Sequence, residues 1–177
     1  MNPFVILDRD GVINEDSPDY IKSVDEWIPV PGSLEAIAQL TQAGFDIYVA
    51  TNQAGVARGK LTLEVLEQIH QTLCRKVSEA GGHIVDIRYC PHHPNDNCNC
   101  RKPKPGLLED LARAHSLDLR AGYYVGDSLK DLVAAESVSC SGVLVLTGKG
   151  HETRLVRPKH ELTFDDLLSF ARYLLTL

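Results

Sequence analysis

The stretch from Val5 to Asn14 constrains this chain more than any other. An apolar, partly β-branched run, Val5-Ile6-Leu7, ends abruptly in Asp8-Arg9-Asp10-Gly11, two carboxylates spaced i and i+2 with a glycine behind them. That pattern reads as a buried strand carrying acids to its C-terminal tip, the place where open α/β sheets bind ligands. Acids so close to an apolar strand are unfavourable unless something offsets their charge. A divalent cation is one solution. The other is a turn in which Asp8 and Asp10 accept hydrogen bonds from nearby backbone N–H groups.

The same grammar recurs along the chain. Apolar strands are expected at Asp46–Ala50, Ile84–Tyr89, Gly122–Gly126 and Gly142–Leu146. Between them the apolar residues follow helical spacing. Pro31-Gly32-Ser33 opens a helix with Leu34, Ile37, Ala38 and Leu40 inward, stopped by Gly44. Thr62 caps a second helix, with Leu63, Leu66, Ile69, Leu73 and Val77 as its stripe and Gly81-Gly82 as its end. A third carries Leu107, Leu108, Leu111 and Ala112. A last helix begins at Thr163, with Phe164, Leu167, Leu168, Ala171 and Leu174 inward. Five strands alternating with helices predict an α/β fold, and 177 residues suit a single domain over 1–177.

Charge narrows the partners. A formal net charge of −6 argues against nucleic acid or an anionic membrane, and leaves room for a small anion wherever the cations are concentrated. No stretch reaches the roughly 18 apolar residues of a membrane span, and no signal peptide opens the sequence, so a cytoplasmic protein is expected.

Several strand tips carry polar groups. The second runs into Thr51-Asn52-Gln53-Ala54-Gly55, where the Thr51 hydroxyl and neighbouring N–H groups suit phosphate oxygens. Arg58 and Lys60 follow, read either as solvated cations or as positive charge near that tip. The fourth ends in Asp127-Ser128-Leu129-Lys130-Asp131, with Asp131 one helical turn from Asp127; a cap and a metal ligand are compatible roles for Asp127. Arg101-Lys102 sits just before the third helix, where basic residues oppose the helix dipole unless an anion is held there. The polar, Pro18-interrupted segment Asn14–Trp27 is expected as a loop over the strand tip. His70 and His83 are isolated and read as structural or exposed, and Cys74 as a buried thiol without chemistry.

Cys90, His92, Cys98 and Cys100 form C-x-H-x5-C-x-C around a turn of Pro, Asn and Asp. Four such donors match a closed tetrahedral Zn2+ site, so residues 90–100 are expected to be a metal-folded loop. His92 is taken as the ligand because the two arms then mirror each other, with His93 as its exposed neighbour. Redox or merely buried cysteines are the competing reading. Cys140 lies too far along the chain to be assigned to the cluster.

The ordered set Asp8-x-Asp10-Gly11, Thr51-Asn52, Lys102 before a helix, and Gly126-Asp127-x-x-x-Asp131 resembles the four signature motifs of the haloacid dehalogenase (HAD) superfamily of phosphatases. The resemblance implies a doubly wound parallel sheet of about five strands, flanked by helices and lacking a separate cap domain. It implies Asp8 as nucleophile, Asp10 as general acid and base, and Thr51 and Lys102 as stabilisers of the phosphoryl group. It also implies Mg2+ on Asp8, the Asp10 backbone carbonyl and Asp127, with Asp131 in support.

Asp16, Ser17, Pro18, Asp19, Asn52, Gln53, Ala54, Arg101 and Ser128, together with Thr51 and Lys102, are then expected to hold a sugar phosphate. The zinc pattern, the run Thr51–Lys60, Cys100-Arg101-Lys102-Pro103 and Thr147-Gly148-Lys149 resemble the heptose bisphosphate phosphatases, monomers in nucleotide-heptose synthesis. The five-residue gap in the zinc pattern is also similar to histidinol-phosphate phosphatases. Two other classes share part of this chemistry, a phosphomutase and a receiver-like module phosphorylated at Asp8. The site is expected to be open, walled only by the zinc loop and Asn14–Trp27.

Overall fold

The computed structural model describes residues 2–177. Its centre is β1 (Phe4–Leu7), fully buried along its length. Around it lie β2 (Asp46–Asn52), β3 (Asp86–Cys90), β4 (Tyr123–Gly126), β5 (Ser141–Val145) and β6 (Thr163–Phe164), in the sheet order β3-β2-β1-β4-β5-β6. Every pairing is parallel. The helices between them are α1 (Ser33–Gln42), α2 (Leu63–Glu79), α3 (Gly106–His115), α4 (Leu129–Ser137), α5 (Gly150–Val156) and α6 (Leu167–Leu174).

Successive strand residues point to opposite faces, and the strands use this to build two cores. Val5, Leu7, Ile47, Val49, Val125, Val143 and Val145 pack with residues of α1, α2 and α6. Phe4, Ile6, Tyr48, Ala50 and Tyr124 pack on the other face with residues of α3 and α4. Both faces being covered, the strands read as nearly continuous apolar runs.

The register positions the chemistry. Leu7 lies level with Val49 of β2 and Val125 of β4, and the Asp8 N–H extends the ladder to the Val125 carbonyl at 2.9 Å. The ends of these three neighbouring strands therefore emerge together. The chain winds outward from β1 through β2 to β3, then returns to β4 on the other side, so β1 and β4 flank the switch point of the sheet.

Two expectations need correction. Thr163 and Phe164 do not open the last helix; they form a two-residue edge strand beside β5, too short to show a period. The helix starts at Leu167, capped by Asp166, whose carboxylate accepts from the Ser169 N–H. Thr62 does cap α2 through the Val65 N–H, but Leu63, the first residue of the helix, is 52% exposed and the buried stripe starts at Leu66. Among the described residues no helix is long and apolar enough to cross a membrane.

Candidate active site

Four carboxylates converge at the switch point. Asp8 leaves β1, Asp10 lies two residues on, Asp127 follows β4, and Asp131 rises from the first turn of α4. Asp8, Asp127 and Asp131 bring oxygens within 4.8 Å of one another. Glycines permit the approach: a Cβ on Gly11 would overlap the Asp127 carboxylate, and one on Gly126 would overlap Asp131. Gly11 also holds a φ of +83°, which suits a residue without a Cβ, and its carbonyl accepts from the Thr147 hydroxyl at 2.6 Å.

Lys102 is the cation of this cluster, with 3% of its side chain exposed. Its Nζ lies 2.9 Å from Asp8 Oδ1 and 2.7 Å from Asp131 Oδ1. It also lies 2.7 Å from the Tyr124 hydroxyl and 3.1 Å from the Ala50 carbonyl. Asn52 fixes the Lys102 backbone, accepting from its N–H and donating to its carbonyl. Burial works against the charge on Lys102, yet Asp131 and Asp8 together hold its pKa above the usual lysine range.

Asp131 is satisfied within the protein, because its other oxygen accepts from the backbone and hydroxyl of Ser128. Burial pushes it up, but Lys102 and Ser128 bring it below the ordinary carboxylate range. That suits the supporting role expected of it.

Asp8 and Asp127 differ. Burial and the neighbouring Asp131 push Asp8 well above the ordinary range despite Lys102. Burial and Asp131 raise Asp127 to about 7, against the opposing Lys149 N–H. Asp8 Oδ1 accepts from the Arg9 N–H and meets Lys102, and Asp127 Oδ2 accepts from Lys149. This leaves Asp8 Oδ2 and Asp127 Oδ1 without a protein donor among the described residues. Inside the site the carboxylates Asp8, Asp10, Asp127 and Asp131 outnumber the buried cations Arg9 and Lys102 by two. Two free carboxylate oxygens, in a site whose acids outnumber its buried cations by two, fit a divalent, oxygen-preferring cation such as Mg2+, which would hold Asp8 and Asp127 in their ionised forms.

Asp10 is clamped. Arg9 Nε donates to Asp10 Oδ1 at 2.9 Å and Nη2 pairs with it at 2.9 Å. Asn14 donates to the same oxygen, and Gln53 donates to Oδ2 at 3.1 Å. Burial raises this group, but Arg9 and the two amides outweigh it, so Asp10 sits below the ordinary range.

A cavity of about 280 Å³ opens over these groups. Asp16, Ser17, Pro18, Thr51, Asn52, Ala54, Arg101 and Ser128 line it, as the sequence predicts. Gln53 and Asp19 do not. Gln53 is turned inward to Asp10 and Thr51, and Asp19 is held outward by Lys60 and Lys22. Tyr20, Lys130 and Lys149 line the cavity without having been anticipated. Lys149 belongs to the β5–α5 connection, which supplies a further wall beyond the two expected. Arg9, fully buried between the two acids, was given no role from the sequence, because nothing local shows what its side chain reaches.

The second cluster follows β3 directly. The Cys90 Sγ lies 3.4 Å from His92 Nδ1 and 3.6 Å from Cys98 Sγ, while Cys100 Sγ is 3.2 Å from His92 Nδ1. All four donor atoms fall within 4.8 Å, which suits a tetrahedral Zn2+. One detail is corrected: His93 is the half-buried neighbour and His92 the exposed one. His93 is drawn in because it caps the turn Pro94–Asp96, accepting from the Asn95 N–H. The loop leads straight into Arg101 and Lys102, so a metal here fixes where those cations stand.

The comparisons with known proteins agree along the whole chain. A family model described as HAD-hydrolase-like matches residues 99–169. A relative from Pseudomonas aeruginosa, named D-glycero-beta-D-manno-heptose-1,7-bisphosphate 7-phosphatase, is 56% identical over 97% of each chain. One of the same name from Neisseria meningitidis is 50% identical over 97% of this chain and 94% of its own. A crystal structure described as D,D-heptose 1.7-bisphosphate phosphatase from Bordetella bronchiseptica, complexed with magnesium and phosphate, superposes with a TM-score of 0.94. It shares 46% identity over 98% of each chain.

Proposed function

Because the chain belongs to the D-glycero-beta-D-manno-heptose-1,7-bisphosphate 7-phosphatase family of HAD-like hydrolases, we propose that it hydrolyses the 7-phosphate of that sugar through an aspartyl phosphate on Asp8. The observation that carries this reading is the convergence of Asp8, Asp10, Thr51, Lys102 and Asp127 on one cavity.

In the first half, an Asp8 oxygen attacks phosphorus and the bond from phosphorus to the sugar oxygen breaks. Asp10 gives that oxygen its proton; the incoming phosphate, a like charge, favours the acid form of Asp10. In the second half, Asp10 takes a proton from water, which attacks phosphorus and frees Asp8. Arg9, Asn14 and Gln53 favour the ionised form that this base needs. Lys102 and the Thr51 hydroxyl stabilise the oxygens on which charge develops. Arg101, Asp16, Ser17, Pro18, Ala54 and Ser128 line the space left for the sugar.

Mg2+ held by Asp8, Asp127 and the Asp10 carbonyl would supply charge neutralisation between the anionic nucleophile and its anionic substrate. Zn2+ on Cys90, His92, Cys98 and Cys100 would fold the loop that carries Arg101 and Lys102. Thiolates kept for a metal suit a reducing compartment, so this reading places the chain in the cytoplasm, as a single-domain monomer.

The test is phosphate release, with Mg2+ present, from heptose 1,7-bisphosphate, fructose 1,6-bisphosphate and histidinol phosphate. A kcat/KM at least about tenfold higher for the heptose, lost in Asp8→Asn, is expected. A preference for histidinol phosphate overturns the substrate, and turnover retained by Asp8→Asn overturns the covalent route.

A further inference from the structure

Arg9 is fully buried, and its guanidinium faces in two directions. On one side it grips Asp10; on the other, Nη1 lies 3.1 Å from Nε2 of His70 on α2. A guanidinium only donates, so Nε2 must accept and the ring must be neutral with its proton on Nδ1. His70 is itself 4% exposed and leans on Tyr89 of β3, with ring centroids 5.7 Å apart. It sits sixty-one residues from Arg9 in sequence, on an element that contributes nothing to the catalytic cavity.

We propose that His70 is a positioning residue for the reaction: it fixes the Arg9 guanidinium from behind, and Arg9 in turn fixes the Asp10 carboxylate that moves the proton. Planar Arg9 has one orientation in which Nε and Nη2 both reach Asp10 Oδ1. The bond from Nη1 to His70 removes the rotation that would loosen that grip. Without an acceptor there, a buried N–H loses its partner, and the side chain regains freedom at the cost of Asp10 geometry.

This inference rests on Asp10 acting as proton donor, and leaving-group dependence separates the two claims. A sugar alkoxide must be protonated to depart, whereas the p-nitrophenolate of p-nitrophenyl phosphate need not be. In the first half-reaction, followed as single-turnover labelling of Asp8, Asp10→Asn should therefore lose transfer from heptose bisphosphate far more than transfer from p-nitrophenyl phosphate; equal losses of that transfer would remove Asp10 from the role of acid.

His70→Phe keeps a ring against Tyr89 but no acceptor. It should lower the single-turnover rate of Asp8 phosphorylation by heptose bisphosphate by at least about tenfold, since a general acid contributes about 10²–10⁴-fold. The same rate with p-nitrophenyl phosphate should change less than about twofold, while the hydrolysis of the aspartyl phosphate, which also uses Asp10, slows equally after either substrate. His70→Gln, whose amide oxygen can accept from Arg9, should restore the heptose rate. Should His70→Phe fail to fold, His70→Ala gives the same reading: the vacated space opens on a cavity of about 320 Å³ between α2 and β3, and added imidazole should recover the heptose rate. Parallel loss of Asp8 phosphorylation from both substrates in a folded variant, or no recovery with Gln or imidazole, overturns the proposal.

Discussion

Replacing Lys102 with Met is the most informative single change. Lys102 is 3% exposed and lies within 2.9 Å of both Asp8 and Asp131. Removing one partner of a buried ion pair costs about 3–5 kcal/mol, because the other charge is left uncompensated. In urea, with a slope of about 1–3 kcal/mol per molar, the unfolding midpoint should fall by more than about 1 M.

The pH dependence gives the loss a signature. In the wild type, the folded pKa of Lys102 lies above its ordinary 10.5, so its contribution is complete below that pH and lost only in stronger alkali. Asp131, held below its ordinary value of 3.8, contributes at every pH above that value and loses its contribution only in stronger acid. Between these limits the wild-type pair is constant. In the variant, Asp8 and Asp131 are buried without their cation and take up protons more readily than in the unfolded chain, so stability falls as pH rises. Equilibrium unfolding without added Mg2+ should therefore show a larger deficit at pH 8 than at pH 5. A deficit below about 1 kcal/mol, or one equal at both pH values, would refute the charge arrangement described for this site.

Acid should weaken the protein through His70. Burial and the adjacent Arg9 depress its pKa to about 3 in the folded state, against about 6.5 unfolded, so the unfolded chain protonates first. Stability relative to His70→Gln should fall by about 2 kcal/mol between pH 7 and pH 5, measured by urea unfolding; an unchanged difference would contradict a buried neutral ring. Chelation of zinc should remove amide protection from residues 90–102, with Zn2+ alone restoring it, and elemental analysis should find about one zinc per chain; full protection without zinc would refute the metal site.

The central strands were legible in the sequence because each is a short apolar run ending in a polar tip, and the register of β1 with β2 and β4 converts those tips into one site. The Cys90, His92, Cys98 and Cys100 cluster was legible because its donors are crowded into eleven residues, 90–100. Local sequence fails where the partner is distant. Gln53 reads as a substrate ligand until Asp10 is found beside it. Tyr124 reads as plain strand core, yet its hydroxyl meets Lys102 and Asp131. His70 looks isolated on its helix because Arg9 reaches it only through the fold. β6 escapes for another reason, since two residues carry no period.

Everything turns on whether a carboxylate oxygen of Asp8 takes the phosphoryl group. Rapid mixing with 32P-labelled heptose 1,7-bisphosphate, followed by acid quench and peptide mapping, observes that step itself. Label should appear transiently on the peptide containing Asp8, only when Mg2+ is present. Phosphate released at the full rate with no label on that peptide at any time would contradict it.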